Sequence, residues 1–258
     1  MSIHFSPVLA AHPRVDRDGF SAVSLELDAA GERAAPIASL DEFRLRAPTF
    51  GCNPHQALSA VTYVFDDSPA GLRRRDSLGN DLVVGPGGVV WTQAGRGAVH
   101  EELPAEPGRE LHGLQLFVHL GQRTHAAAPR VVLLAGTEVP EWTSDAEDRV
   151  RVVMGRFRGV VSPLASHDSL DLLDIELRRG ISLPLPDAHA ALVYVRSGRI
   201  RIRADGRERR VAARHALSLF GAGGGRVTFE AVQTARFLVL SRPEIGLPRS
   251  VRPAVEAA

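Results

Sequence analysis

The sequence predicts an all-β protein built from two similar domains in tandem, and two observations carry this prediction. First, short runs rich in Val, Leu and Ile are bounded at short intervals by turn residues, which is typical of β-sandwiches and β-barrels. Second, residues 60–65 (Ala-Val-Thr-Tyr-Val-Phe) resemble residues 191–196 (Ala-Leu-Val-Tyr-Val-Arg), at an offset of 131 residues. A repeat at about half the chain length indicates two domains rather than a solenoid.

The strands can be assigned in chain order from these apolar runs. They are predicted at 60–65, 81–84, 89–92, 114–120, 131–134, 150–154, 170–177, 190–195, 199–203, 216–220, 226–230 and 236–240. The best helix candidate is the short segment 143–149, where Thr143 or Ser144 could cap the first turn. The segment 121–130 is the expected crossover, which divides the chain into an N-terminal domain, 1–130, and a C-terminal domain, 131–258.

Charge argues against direct binding to nucleic acid, because 31 basic residues are balanced by 30 acidic ones. Two short arginine runs lie beside turn residues and are predicted to be solvated strand edges or loops. They are 73–75, and Arg207 with Arg209 and Arg210.

The expected location is the cytoplasm. A single cysteine, Cys52, excludes an intramolecular disulfide and fits a reducing compartment. The first 19 residues lack the apolar segment of a signal peptide. No run approaches the roughly 20 apolar residues that cross a bilayer, so no membrane partner is expected.

Two short motifs supply four candidate metal ligands: Asn53-Pro-His55 and His100-Glu-Glu102. Side chains two positions apart on a strand share one face, so each motif can present two ligands in the same direction. If the motifs lie on neighbouring strands of one barrel, the four side chains converge. Imidazole nitrogens with one carboxylate suit iron, manganese, nickel, copper or zinc. Spacing alone has low specificity, because ten histidines make some His-x-acid pairs unavoidable.

Longer blocks of sequence resemble the pirin family. In the first half these are Arg75-Asp-Ser-Leu-Gly-Asn80, Gly85-Pro-Gly, Trp91-Thr-Gln-Ala-Gly-Arg-Gly-Ala-Val-His-Glu-Glu102 and Leu111-His-Gly-Leu-Gln-Leu-Phe117. In the second half, Leu183-Pro-Leu-Pro-Asp-Ala-His189 and Tyr194-Val-Arg-Ser-Gly198 resemble the family more loosely. The resemblance implies a bicupin, with two tandem cupin β-barrels of the double-stranded β-helix or jelly-roll type.

The resemblance also implies a metal site in the N-terminal barrel, formed by a His-x-His pair and a later His-x-Glu pair. By position, the second histidine of the first pair is His55, and the later pair is His100 and Glu102. The first histidine is replaced by Asn53, and the acidic residue expected four places after His55 is Ser59. The C-terminal tail is shorter than in typical pirins, so the chain is identified as a short, divergent member.

The second domain is expected to lack metal ligands, because Pro184 and Pro186 stand at the repeat positions of the first motif. His112 is expected to be a hydrogen-bonded strand residue without a role in the site.

The first functional hypothesis implied by the resemblance is an enzyme, a quercetin 2,3-dioxygenase-like oxidoreductase that acts on a flavonol or related enediol. His55, His100 and Glu102 would hold one divalent transition metal, with Asn53 as a fourth ligand. Iron is the first choice of metal, with nickel, manganese, copper or zinc as alternatives. Glu102 would also serve as the catalytic general base.

An aromatic substrate requires an apolar mouth to the site. Leu58, Val99 and Phe117 are the candidates by position.

The alternative hypothesis is a non-catalytic regulatory module that binds a protein partner or a small ligand. Its metal site would be degenerate and would hold no metal, in keeping with Asn53. The residues by themselves leave open whether the chain is an enzyme.

Overall fold

The computed structural model describes residues 3–17, 19–27, 37–47, 53–56, 58–119, 126–164, 170–221 and 223–243, so Cys52 lies outside the described residues. Within these ranges the chain forms strands joined by turns and contains no helix, and hence none that could span a membrane. The all-β prediction is confirmed.

The strands of the first half, from the N-terminus, are β1 (His4–Phe5), β2 (Leu9–Ala10), β3 (His12–Arg17), β4 (Phe20–Glu26), β5 (Ile37–Leu45), β6 (Asn53–His55), β7 (Leu58–Val64), β8 (Leu72–Asp76), β9 (Asp81–Val84), β10 (Val89–Gln93), β11 (Ala98–Pro104), β12 (Leu111–His119) and β13 (Arg130–Leu134). Those of the second half are β14 (Glu141–Thr143), β15 (Arg149–Met154), β16 (Arg156–Phe157), β17 (Val160–Val161), β18 (Asp171–Leu177), β19 (Gly180–Leu185), β20 (His189–Ala204), β21 (Arg207–Ala212), β22 (His215–Gly221) and β23 (Gly225–Pro243).

The first barrel consists of two antiparallel sheets. One has seven strands in the order β13-β10-β7-β12-β5-β4-β3, and the other has four in the order β6-β11-β8-β9. Apolar side chains from both sheets, among them Phe43, Val64, Leu72 and Val84, form one core cluster. The candidate motifs lie on β6 and β11, in the smaller sheet.

The second barrel is one continuous sheet in the order β1-β22-β20-β23-β18-β15-β14. In addition, β19 pairs with the N-terminal part of β23, and β21 pairs with the C-terminal part of β20. The strands β20 and β23 are long and pair with each other along most of their length. Each replaces two strands that the sequence predicted separately. Their pairing shifts register around Ser197, next to Gly198, whose backbone has φ +75°. A Cβ at Gly198 would lie 2.2 Å from the carbonyl oxygen of Thr234, so this bend requires glycine.

The helix predicted at 143–149 is wrong. Thr143 ends β14 and Arg149 begins β15, and these two residues pair directly across a hairpin. The intervening turn is closed by a hydrogen bond from the Ser144 amide to the Asp148 carbonyl at 2.9 Å. Asp148 also accepts hydrogen bonds from the backbone amides of Arg178, Arg179 and Gly180. Hydrogen bonds from the distant segment 178–180 therefore help to fix a turn at residues whose local sequence favoured the first turn of a helix.

Strand pairing differs from the expected division at residue 130 in two places. The N-terminal strands β1 and β2 pair with β22 of the second barrel, and Ile3 belongs to the core of that barrel. Conversely, β13 pairs with β10 of the first barrel. The two barrels therefore exchange short segments at their junction.

The two barrels pack through a shared apolar layer that includes Val61 and Leu116 from the first and Leu192 and Leu240 from the second. Val61 and Leu192, which the internal repeat makes equivalent, contribute to this layer from the two barrels.

Tyr63 donates a hydrogen bond to Asp174 at 2.8 Å, and its repeat counterpart Tyr194 donates one to Glu42 at 2.7 Å. Glu42 also contacts His112 at 2.8 Å, which confirms the hydrogen-bonded role expected for that histidine. The internal repeat thus corresponds to two barrels joined by reciprocal tyrosine–carboxylate contacts.

Candidate metal centre in the first barrel

The candidate residues lie on paired strands of the four-stranded sheet. In the antiparallel pairing of β11 with β6, His100 is opposite Asn53, and Ala98 is opposite His55. On the other side of β11, β8 places Asp76 opposite His100 and Arg74 opposite Glu102. The structure therefore brings Asn53, His55, His100 and Glu102 together, and all four line one cavity of about 330 Å³ inside the barrel.

The remainder of the cavity lining combines apolar side chains with the ion pair of Arg14 and Asp41. Phe20, Phe43 and Phe117 line the cavity together with the amide of Gln115. Of the residues expected at an apolar mouth, Phe117 lines the cavity, and its ring centroid lies 5.2 Å from that of His55. Leu58 and Val99 are not among the residues that line it.

The two histidines form a close pair, with ring centroids 4.8 Å apart. Burial, with the charge of Arg74 and the charge that His100 would carry when protonated, lowers the pKa of His55. Burial and the charge of Arg74 lower the pKa of His100 to about 4. Both rings are therefore neutral near pH 7. The buried Nε2 of His55 has no hydrogen-bond partner among the described residues, which is unusual for a polar atom in a protein interior.

Glu102 lies beside this pair, with a side chain only 12% exposed. Its Oε1 accepts a hydrogen bond from the Thr62 hydroxyl at 2.8 Å and lies 3.9 Å from Nε2 of His100. Burial raises the pKa of Glu102, although the Thr62 hydrogen bond and the charge of Arg74 act in the opposite direction. Glu102 is thus a carboxyl group with an increased tendency to hold a proton.

Arg74 is part of the centre, and the sequence analysis missed it. The prediction that the run 73–75 is solvated is wrong for Arg74, whose side chain is 1% exposed. Its Nη2 lies 2.9 Å from Nδ1 of His100, and its Nη1 donates to Asp76 at 2.7 Å. The signal was available in the period of two along β8, because Arg74 shares a face with the buried Leu72.

The Asp76 carboxylate explains the block Arg75-Asp-Ser-Leu-Gly-Asn80. It accepts hydrogen bonds from the amides of Leu78 and Asn80 and from the Asn80 side chain, which closes the turn between β8 and β9. Gly79 in this turn has φ +89°, a conformation that glycine adopts without strain. The turn therefore fixes Asp76, and Asp76 in turn fixes Arg74.

The residue types suit a transition metal: two neutral imidazoles, one carboxylate and one amide oxygen. The unpartnered Nε2 of His55 supports this assignment, because a bound ion would satisfy it. The side chains must move to bind an ion, since no group of three or more His, Cys, Asp or Glu residues in the described ranges converges as a ready site. The contact of Arg74 with Nδ1 of His100 places a positive charge beside this donor set.

The second barrel has apolar residues at the corresponding positions. Pro184, expected at the repeat position of Asn53, is exposed, and the inward positions of β19 are Leu183 and Leu185. The pairing of Leu183 with Val227 corresponds to that of Asn53 with His100. These residues line a second cavity, of about 760 Å³.

Comparison with known proteins places the chain among pirins and related cupins. A pirin family model matches residues 20–118. A pirin-like protein of Caulobacter vibrioides is 32% identical over 205 residues, which cover 77% of this chain and 70% of that protein.

Two crystal structures share the fold. A quercetin 2,3-dioxygenase from Acinetobacter baumannii has a TM-score of 0.84 at 22% identity, covering 96% of this chain and 89% of the other. The bacterial pirin YhhW from Escherichia coli, in complex with nickel(II), has a TM-score of 0.71 at 16% identity, covering 94% and 100%.

Proposed function

The chain belongs to the pirin family, and from that premise we propose that its first barrel binds one divalent transition metal and, as a dioxygenase, uses O2 to oxidise a flavonol or related enediol. His55, His100 and Glu102 are the proposed ligands, with the amide oxygen of Asn53 as a weaker fourth. Iron, the first choice from the sequence, and nickel, which YhhW binds, are the metals to test first. The proposed location of this activity is the cytoplasm.

The observation that carries this proposal is the unpartnered Nε2 of His55 in a cavity lined by the other three ligands. Leaving a buried polar atom without a partner costs about 1–3 kcal/mol, so such atoms are usually satisfied by a ligand, an ion or water. Imidazole nitrogen beside a carboxylate is a donor set that transition metals prefer.

The remaining residues define what could bind beside the ion. The rings of Phe20, Phe43 and Phe117 form an apolar wall suited to a planar aromatic molecule. Glu102, with its raised pKa, is placed to hold the proton of a substrate hydroxyl. Thr62 orients the carboxyl group through its hydrogen bond. When bound, the metal would supply Lewis-acid polarisation of the substrate oxygens.

A second candidate function is a non-catalytic module that binds a small ligand or a protein partner without metal. The contact between Arg74 and His100 favours it, because a fixed positive charge occupies the side of His100 that usually faces a hydrogen-bond acceptor in metal sites. The replacement of the first histidine by Asn53 acts in the same direction.

Elemental analysis of the purified full chain tests the proposal. The wild-type protein, reconstituted with Fe(II) or Ni(II) and desalted, is compared with His100→Ala and with His12→Ala, a control that alters an exposed histidine outside the cavity. We expect about one metal per chain in the wild type and the control, and loss of metal from His100→Ala. Oxygen consumption with a flavonol is then measured on the loaded protein. Absence of metal from all three proteins would contradict the proposal and leave the binding module.

A further inference from the structure

We infer that Arg74 is the residue that limits metal affinity in the first barrel, because it holds His100 in the tautomer that carries its proton on Nε2. This inference rests on the proposed function, since it concerns the metal affinity of the same site. It assigns to Arg74 a role as a positioning residue that acts through His100.

The hydrogen-bond chemistry of the pair allows one arrangement. A guanidinium group is charged at all accessible pH values, and its N–H groups only donate. The Nη2 of Arg74 lies 2.9 Å from Nδ1 of His100. Nδ1 must therefore accept, and a neutral imidazole that accepts at Nδ1 carries its proton on Nε2. Nε2 is the ring nitrogen on the side of Glu102, at 3.9 Å from Oε1.

Metal binding requires the opposite arrangement. A histidine that binds a metal through Nε2 keeps its proton on Nδ1 and donates it to a carboxylate, a carbonyl group or water. In this barrel such a proton would meet the N–H groups of Arg74, so two donors would face each other. To bind a metal, His100 must break its contact with Arg74.

Arg74 cannot easily withdraw. Its side chain is almost fully buried and is held by Asp76, whose side chain has no exposed surface and is itself fixed by the turn that leads to Asn80. The Nε of Arg74 is also buried, without a hydrogen-bond partner in the described residues, and lies 3.8 Å from Oε1 of Glu102. The guanidinium charge therefore stays beside the centre, where exclusion of water strengthens its repulsion of a cation.

The tautomer can be measured on the wild-type protein, without any substitution in the barrel. Nitrogen-15 NMR of the metal-free chain distinguishes a protonated from an unprotonated ring nitrogen, and His100→Gln assigns the signals. We expect Nε2 protonated and Nδ1 unprotonated at pH 7. Protonation of Nδ1 would overturn the inference.

Substitution of Arg74 tests the consequence for metal affinity. Arg74→Gln removes the charge and offers an amide oxygen that can accept a proton from Nδ1, whereas Arg74→Lys keeps a charged group that only donates. We expect Ni(II) affinity, measured by calorimetry, to rise about 10- to 100-fold in the Gln variant, the size of effect that outer partners have on metal sites. We expect no rise in the Lys variant. Circular dichroism and thermal unfolding establish that both variants are folded.

The outcomes separate this inference from the proposed function. If only Arg74→Gln binds Ni(II), the inference is supported, and metal binding by the natural chain is contradicted. If wild type and both variants bind equally, the proposed metal site is supported and the role of Arg74 is overturned. If none binds, both are overturned.

Discussion

The two barrels are related by the internal repeat but have contrasting interiors. Strand pairing and the internal repeat make one set of inward positions equivalent in the two barrels. These positions hold polar residues in the first barrel and apolar residues in the second. Thr62, Arg74, Asp76, His100 and Glu102 of the first barrel correspond to Val193, Ile202, Ala204, Val227 and Phe229 of the second.

The two interiors differ in the kind of side chain that they bury at these positions. An interior of Val, Ile and Phe stabilises a barrel at about 25 cal/mol per Å² of apolar surface removed from water. Buried charged and polar groups cost desolvation energy unless every one is paired, and both barrels contain unpaired atoms: Nε2 of His55 and Nε of Arg74 in the first, and atoms of Arg151, Arg196, Arg201 and Ser218 in the second. The interior of the second barrel therefore contributes apolar burial at positions where the first barrel holds a polar centre.

The sharpest test of this contrast substitutes equivalent residues in the two barrels. Phe229→Ala should lower the free energy of unfolding by about 3–5 kcal/mol, because Phe229 is 1% exposed and stacks on Phe237 at 5.2 Å. Glu102→Ala should lower it by only about 1 kcal/mol, because the loss of the Thr62 hydrogen bond is offset by removal of a buried carboxyl group with a raised pKa. Urea unfolding measures both. Equal losses would mean that the two interiors do not differ in their role.

A second prediction concerns pH. His100 in the first barrel can titrate, whereas Val227, at the corresponding position of the second barrel, cannot. Burial depresses the pKa of His100 to about 4, below the value of about 6.5 expected in the unfolded chain. The folded state therefore prefers neutral His100, and this contribution to stability is present above pH 6.5 and is lost as the pH falls towards 4.

Between pH 7 and pH 5, metal-free wild type should lose about 2 kcal/mol more stability than His100→Asn, in which this group cannot titrate. Urea unfolding of chelator-treated proteins at the two pH values provides the measurement. The same loss in both proteins would show that His100 is not held neutral by the barrel.

The smallest expected effect comes from exchanging residues of nearly equal shape between the barrels. Val193→Thr should cost about 1–2 kcal/mol, because it introduces a hydroxyl group into a fully buried apolar position. Thr62→Val should cost about 1 kcal/mol, because Glu102 loses its hydrogen-bond donor. Thermal unfolding compares the two variants with wild type. A neutral Val193→Thr would indicate that the second interior accommodates polar groups as readily as the first.

Much of the fold could be read from local sequence. The apolar runs at 60–65, 81–84, 89–92 and 150–154 fall within or on the strands of the structure, with at most one residue beyond a strand end. Strands with mixed polarity were missed, as in β5, where Ile-Ala-Ser-Leu-Asp-Glu-Phe-Arg-Leu has no long apolar run. Such strands are fixed by pairing with distant neighbours, here β4 and β12, which leaves little trace in local composition.

The sequence by itself determined the family and two pairs of candidate ligands, because residues two apart on a strand must share a face. Only the tertiary structure decided that the two pairs meet, since the pairing of β6 with β11 joins segments that are distant in the chain. The period of two separates Arg74 from its neighbours, and the assembled sheets place it inward against His100 while Arg73 and Arg75 pair with Asp81 on the outside. The reason is physical: burial depends on which side of a strand the rest of the barrel covers, and that is a property of the assembled sheets.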